Sequence, residues 1–357
     1  MRSTGALLLL LCACSTPAPA PVPVSQIETV AGNGVASFQG DGRPATESPL
    51  YAPVKVGFSN QGRPWIIDWN NHRVRELVDG TLLTVVGTGV EEISTTMNVL
   101  SIAYPIHHAF DLDSGLDGDI VFAGYHDPRI FKVNARGYVR NVAGFGTIGN
   151  SGDEHAAYQA AMNTPSGIAI APDGTVYFSE QGNAQIRRVS GDVVHRVAGT
   201  GEPGYSGDGG PAVMARLAGP TRLELDAEGR LYFCDSRNNV IRRIGTDGVI
   251  ETIAGSGERG YSGDGGPALE ARFALPMDLE RLDDGTLLVA DTENHVIRRI
   301  GPDGIITTLV GTATRGFGGD GGPASLARLD GPMGVSVDAD GALWIADTGN
   351  HRVRVVR

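Results

Sequence analysis

TENHVIRRI, residues Thr292–Ile300, has relatives at WNNHRVREL (Trp69–Leu77), QGNAQIRRV (Gln181–Val189), SRNNVIRRI (Ser236–Ile244) and TGNHRVRVV (Thr348–Val356), with a degenerate copy at YHDPRIFKV (Tyr125–Val133). The polar pivot of each copy falls at Asn71, Asp127, Asn183, Asn238, Asn294 and Asn350, in steps of 55 or 56 residues. Self-similarity at a fixed period marks a repeat architecture, and six such units account for the chain beyond its first residues.

Each unit repeats one internal pattern. In the third it reads PSGIAIA, then PDG, then TVYFSE, the Asn turn, IRRV, a short turn, VHRVAG and a long glycine loop. Runs of four to six β-formers bounded by Gly, Asp, Asn or Pro predict a four-stranded antiparallel meander, with strands here named A to D. The 51 glycines, 20 prolines and 6% aromatic residues fit short strands and tight turns. Four-stranded units arranged radially make a β-propeller, so the fold class expected is all-β, a six-bladed propeller. The last unit stops at Arg357, just after its strand C, while IETVAG (Ile27–Gly32) matches strand D. The N-terminal strand is therefore expected to complete the last blade and close the ring.

The turns NHVIRRI, NHRVREL and NHRVRVV, with VADTENH and IADTGNH, resemble NHL repeats. The resemblance covers residues 27–357 and implies the same fold, since members of that family form β-propellers, often six-bladed. Blade 2 departs most: a shortened glycine loop is expected there, and LDSGLDGD (Leu112–Asp119) is expected to lengthen its A–B hairpin.

The N-terminus reads as an export signal over residues 1–13, with Arg2 before the apolar GALLLLLCA (Gly5–Ala13). LCAC (Leu11–Cys14) resembles a bacterial lipobox that would lipidate Cys14. Residues 14–26 then form a Pro/Ala-rich tether. Ser15, where an inner-membrane retention signal would place Asp, points to an exported lipoprotein of the outer membrane, on its periplasmic face or at the cell surface. Cys234 is left alone in a strand pattern and is expected to be buried and inert. The net charge of −12 opposes nucleic-acid binding.

GYSGDGGPA occurs twice, at Gly204–Ala212 and Gly260–Ala268, and its relatives place Asp41, Asp153, Asp208, Asp264 and Asp320 in equivalent glycine loops. No Lys-Ser or Lys-Thr follows the glycines as in a P-loop, and one acid per loop is too few for a calcium loop. These acids are expected to be structural, near the N-termini of short helices that begin at residues such as Pro267. The repeated arginines of IRRI are expected to pair with them.

Positions where the copies differ carry more information. Aligned on the prolines taken to open strand A (Pro53, Pro105, Pro165, Pro220, Pro276 and Pro332), the chain places Lys55, His107, Arg222 and Asp278 two residues on, and Glu224 and Glu280 two further. Strand A is innermost in a propeller, and Gly or Ala is the undemanding filler at these places in other blades. Inward charges are costly unless they pair, meet water or bind something. The six residues are thus candidate channel ligand-binding groups, or an ion network that plugs the channel through pairs such as Arg222–Glu280 or Lys55 with a neighbouring blade's acid. His108 takes a core position on this alignment.

No catalytic set, metal site or cofactor motif is expected. In the lactonase-like propellers that this architecture resembles, Asn and Asp follow the strand-A proline, whereas here stand Val54, Ile106, Ser166, Thr221, Met277 and Met333. The function expected is a monomeric, membrane-anchored binding module for a protein, peptide or glycan, on the loop face or in the channel. The alternative is a hydrolase or lyase with a non-standard acid/base site built from His107, Asp278 and Glu280.

Overall fold

A computed structural model describes residues 25–115 and 117–357. The export signal, Cys14 and most of the tether lie outside the described residues. The rest is six antiparallel sheets, five of four strands and one, in the sixth blade, to which the two-residue strand Gly322–Pro323 adds a fifth. In blade 1, strands A to D are Pro53–Phe58, Pro64–Asp68, Arg73–Val78 and Thr81–Val86, and blades 2 to 5 repeat that order. The sixth blade combines Gly334–Val337, Leu343–Asp347 and Arg352–Val356 with the N-terminal strand Gln26–Ala31. Ile27 pairs with Val356, and Gln26 and Arg357 exchange backbone hydrogen bonds at 2.8 and 3.0 Å, so the ring closes as expected. Among the described residues no helix is long and apolar enough to cross a membrane.

The core lies between blades. Val54, Ile67 and Val74 of blade 1 pack against Leu112, Phe122 and Phe131 of blade 2, and comparable clusters fill the other five interfaces. Each sheet alternates residues toward its two neighbours, so the B strands are buried on both faces, while the outermost D strands are partly exposed. In blades 1, 2, 3 and 5 the register of strand A shifts just before the inward residue, as between Pro53 and Lys55, and in blade 4 it shifts at the inward residue itself, Arg222, between Thr221 and Leu223. Such a bulge re-aims a side chain, here toward the axis.

The glycine loops do not cap α-helices. They lead into three-residue 3-10 turns such as Ala268–Glu270, whose N-cap Pro267 offers no side-chain hydrogen bond. Asp264 instead accepts from Arg298 Nη2 at 2.7 Å, and the same guanidinium reaches Asp291 of strand B at 3.3 Å. Asp291 also accepts from Asn294 Nδ2 at 2.8 Å and from the backbone N–H of Ala274 at 2.8 Å. A fully buried arginine, its loop acid, its strand-B acid and its pivot Asn thus lock each loop to the blade behind it. Arg75, Arg187, Arg242 and Arg354 repeat the arrangement on Asp41, Asp153, Asp208 and Asp320. The loop acids pair with buried arginines and do not cap helices.

Blade 2 lacks this lock. The positions of loop acid, strand-B acid and arginine hold Met97, Gly124 and Phe131. Met97 packs against a cluster that includes Phe131, and Phe131 stacks on Phe122 at 5.0 Å. An apolar plug replaces the ionic one.

Candidate functional site

The strand pairing revises the alignment of blade 2. Its strand A runs Ala109–Ser114 and pairs Asp111 with Ala123 and Asp113 with Val121, as Lys55 pairs with Ile67 and Gly57 with Trp65 in blade 1. Sixteen residues before each pivot therefore stand Lys55, Asp111, Gly167, Arg222, Asp278 and Gly334. Fourteen before stand Gly57, Asp113, Ala169, Glu224, Glu280 and Ser336. Pro105 matches Pro49, and strand A of blade 2 opens on Ala109. The expected shortened loop and lengthened hairpin of blade 2 were two consequences of this one offset, and neither exists. His107 is consequently not an inner-strand residue, and Asp111 and Asp113 are the inner acids that the proline alignment missed.

The first set forms a buried tier across the channel. Arg222 reaches from blade 4 to Asp111 of blade 2 at 2.5 Å, donates to the carbonyls of Phe110 and Val54 at 2.6 and 2.9 Å, and places Nε 3.6 Å from Asp278. Lys55 Nζ donates to both oxygens of Asp278 at 3.1 and 3.3 Å. Burial works against the Lys55 ammonium, yet Asp278 and Asp111 hold its pKa above the ordinary lysine value. Asp111 and Asp278 also accept from Ile168 and Val335 of the next blade, each at 2.8 Å. The expected plug is present, with Arg222–Asp111 and Lys55–Asp278 in place of Arg222–Glu280. Gly167 and Gly334 are not mere filler: a Cβ on Gly167 would sit 2.7 Å from Ser179 Oγ and 2.9 Å from the Arg222 nitrogen, and one on Gly334 2.7 Å from the Val54 carbonyl.

The second set faces a cavity of about 350 Å³ lined from all six inner strands, including Lys55, Asp113, Arg222, Glu224, Glu280 and Ser336. Its lining continues to Phe58, Ile170 and Leu225, so it occupies the A–B hairpin side of the plug. Asp113 accepts from the Ser114 and Ile170 backbone at 2.7 and 3.0 Å. Neither it nor Glu224 nor Glu280 forms an ion pair among the described residues. Burial raises the Glu280 pKa to about 7 against the pull of Lys55, and that of Asp113 to about 6. Glu224 is raised by burial and then by the negative charge of Glu280.

His107 lies elsewhere, in the D–A loop of blade 2, where it meets His108 of the same loop, His126 of the B–C turn and His72 of blade 1. The proposed trio of His107, Asp278 and Glu280 is not assembled, because His107 contacts Glu91 at 2.9 Å and does not line the cavity. His108, expected in a core, is buried but belongs to the same cluster. Burial lowers its pKa to about 4, and His72, His126 and His107 add to the shift. Cys234 is buried, and burial pushes its thiol well above the usual range, as its strand position implied.

The Teneurin NHL domain family matches residues 195–262, and the NHL repeat family matches 329–356. Human Teneurin-1 is 26% identical over 92% of this chain. The chain spans only 13% of that relative's length. An auxiliary nutrient binding protein from Bacteroides thetaiotaomicron superposes with a TM-score of 0.68 at 15% identity, over 93% of this chain and 76% of its own. A gluconolactonase from Xanthomonas campestris gives 0.56 at 14%, over 95% and 96%. These two likenesses establish the fold alone. Six four-stranded blades, the closing N-terminal strand and the repeat matches define the class as a six-bladed β-propeller. Within it the chain carries repeats of the NHL type, matched at residues 195–262 and 329–356.

Proposed function

We propose that this propeller is a binding module that receives a cationic group of a peptide ligand in its central cavity. The observation that carries the reading is the imbalance across the channel: Lys55 and Arg222 are held in the buried tier by Asp278 and Asp111, while Asp113, Glu224 and Glu280 face the cavity without a counter-ion. Carboxylates desolvated beside one another raise the energy of the empty protein, and an ammonium or guanidinium entering among them relieves it. A cavity of this size takes one basic side chain or a small amine, not a folded partner. The proposal includes attachment of the module to a membrane through lipidated Cys14 and the Pro/Ala tether, the arrangement that LCAC and the following spacer support.

Calorimetry with a lysine tripeptide, its side-chain-acetylated form and a neutral oligosaccharide tests the reading. The free-amine peptide is expected to bind at least tenfold more tightly than the acetylated one, and more tightly at pH 8 than at pH 5. The double substitution E224Q/E280Q is expected to remove that preference. Equal binding of both peptides, or tight binding of the oligosaccharide alone, overturns it.

A further inference from the structure

Four of the chain's eight histidines gather on the face opposite the cavity opening, at the blade that gave up its ionic lock. The ring centroids of His107, His108 and His126 stand 5.2, 5.1 and 4.7 Å apart, close to an equilateral triangle. One ligand atom from each lies within 4.8 Å of the other two. His126 Nδ1 and His108 Nδ1 are 2.9 Å apart, a contact in which one proton is held between two ring nitrogens. Imidazoles bound to a tetrahedral ion at roughly 2.0–2.1 Å hold their nitrogens about 3.3 Å apart, so the pair needs little movement to share an ion instead of a proton.

The third ring is oriented for the same task. His107 Nε2 faces the Glu91 carboxylate at 2.9 Å, which fixes the proton on Nε2 and leaves the lone pair on Nδ1. That Nδ1 is buried and has no hydrogen-bond partner among the described residues, and the same holds for Nδ1 of His72, whose ring lies 4.3 Å from that of His108. An orphaned buried nitrogen on a ring with a carboxylate behind it is the usual outer-sphere arrangement of a metal-bound histidine. The repeat gives no structural reason for the cluster: the positions of His107 and His108 hold Tyr51 and Ala52 in blade 1, and Ala274 and Leu275 in blade 5. The left-handed backbone of His108, φ 57°, is shared by Ala52, Thr164 and Leu275, so it belongs to the fold and not to the histidine.

We infer that His107, His108 and His126 form a binding site for one divalent transition ion of the zinc class, with Glu91 as the positioning residue behind His107. Three neutral imidazoles select zinc, copper or nickel over magnesium and calcium. The ion takes the place of the proton between His108 and His126, which moves to Nε2 of the same ring as that imidazole changes tautomer. Trp69, 4.7 Å from the His108 ring, and the stacked Phe110–Tyr125 pair wall one side, while exposed His126 leaves the other open to solvent, so a fourth coordination position is accessible.

The full chain, freed of metal by a chelator, is titrated with zinc and separately with cobalt(II), whose visible absorption reports coordination. One equivalent of zinc is expected, with a cobalt spectrum of a four- or five-coordinate site. His126→Ala, at an exposed position, is expected to weaken zinc by at least tenfold, and Glu91→Gln by about tenfold while keeping the cobalt spectrum. His195→Ala, at a surface histidine paired with Glu154, is expected to change nothing. If His126→Ala does not fold, His107→Gln takes its place. Binding that is substoichiometric, indifferent to His126→Ala and His107→Gln, or lost equally in His195→Ala overturns the inference.

Discussion

Glu280→Gln removes one ionisable proton from the cavity wall and preserves the side chain's shape. Burial holds the Glu280 carboxyl near pH 7 against an ordinary value of 4.5. At about 1.4 kcal/mol per unit the ionised group costs the empty protein about 3 kcal/mol above pH 7, a cost shared with Glu224, whose charge opposes it. The sign follows from proton binding: between pH 4.5 and 7 the folded chain keeps a proton that the unfolded chain has lost. Stability from this group is therefore complete below pH 4.5 and declines as pH rises through 7. Urea unfolding of the full chain and of the variant at pH 5, 6, 7 and 8 isolates Glu280 together with its coupling to Glu224, because groups that do not interact with Glu280 cancel in the difference. The variant is expected to match the parent at pH 5 and to exceed it at pH 8 by up to about 3 kcal/mol. A pH-independent difference, or a variant less stable at pH 8, would refute the claim that this carboxylate lacks a counter-ion. The lysine tripeptide should close the same gap in the parent and not in the variant.

Arg298→Met leaves Asp291 buried without its cation and should cost about 3–5 kcal/mol by urea unfolding, while Asp264→Asn, on the half-exposed side of the same lock, should cost distinctly less. Gly167→Ala forces a methyl against Ser179 and the Arg222 backbone and should cost about 1–3 kcal/mol; a neutral result would mean that the inner strands have slack the packing does not show. Arg222→Met should be strongly destabilising alone and partly rescued by Asp111→Asn, so a double-mutant cycle between them should show clear coupling; additive effects would deny the cross-channel pair.

The fold was legible because the turn around Asn294 recurs at a nearly constant step, and a constant step forces identical units. The same step also located the channel residues: Asp111 stands as far before Asp127 as Lys55 does before Asn71. Reading from prolines hid this, since proline is required for strand entry only where the preceding loop needs it, and blade 2 begins its strand with Ala109. Lys55, Arg222, Glu224, Asp278 and Glu280 were found because charge on an innermost strand is anomalous in any register. Which of them pair was not legible. Arg222 reaches Asp111 across the axis, and nothing in sequence separation distinguishes that acid from Glu280.

The histidine cluster illustrates a different limit. The proline spacing assigns His107 to the inner strand and His108 to the core beside it, whereas strand A of blade 2 opens only at Ala109 and leaves both in the loop. What unites them with His126 and His72 is that D–A loops and B–C turns share one face, a consequence of strand direction that the meander itself dictates. In sequence, Met97, Gly124 and Phe131 mark blade 2 as the blade without the arginine lock, and His107, His108 and His126 belong to its loop and turn. Phe131 takes the place of the lock's arginine in blade 2, and Arg129 holds the loop instead, pairing with Asp127 at 2.6 Å and donating to the Ser94 carbonyl at 2.7 Å. His107, His108 and His126 gather on the same face. The two candidate sites thus arise from one property of the ring, that five identical locks leave the sixth blade, and the axis they surround, free to differ.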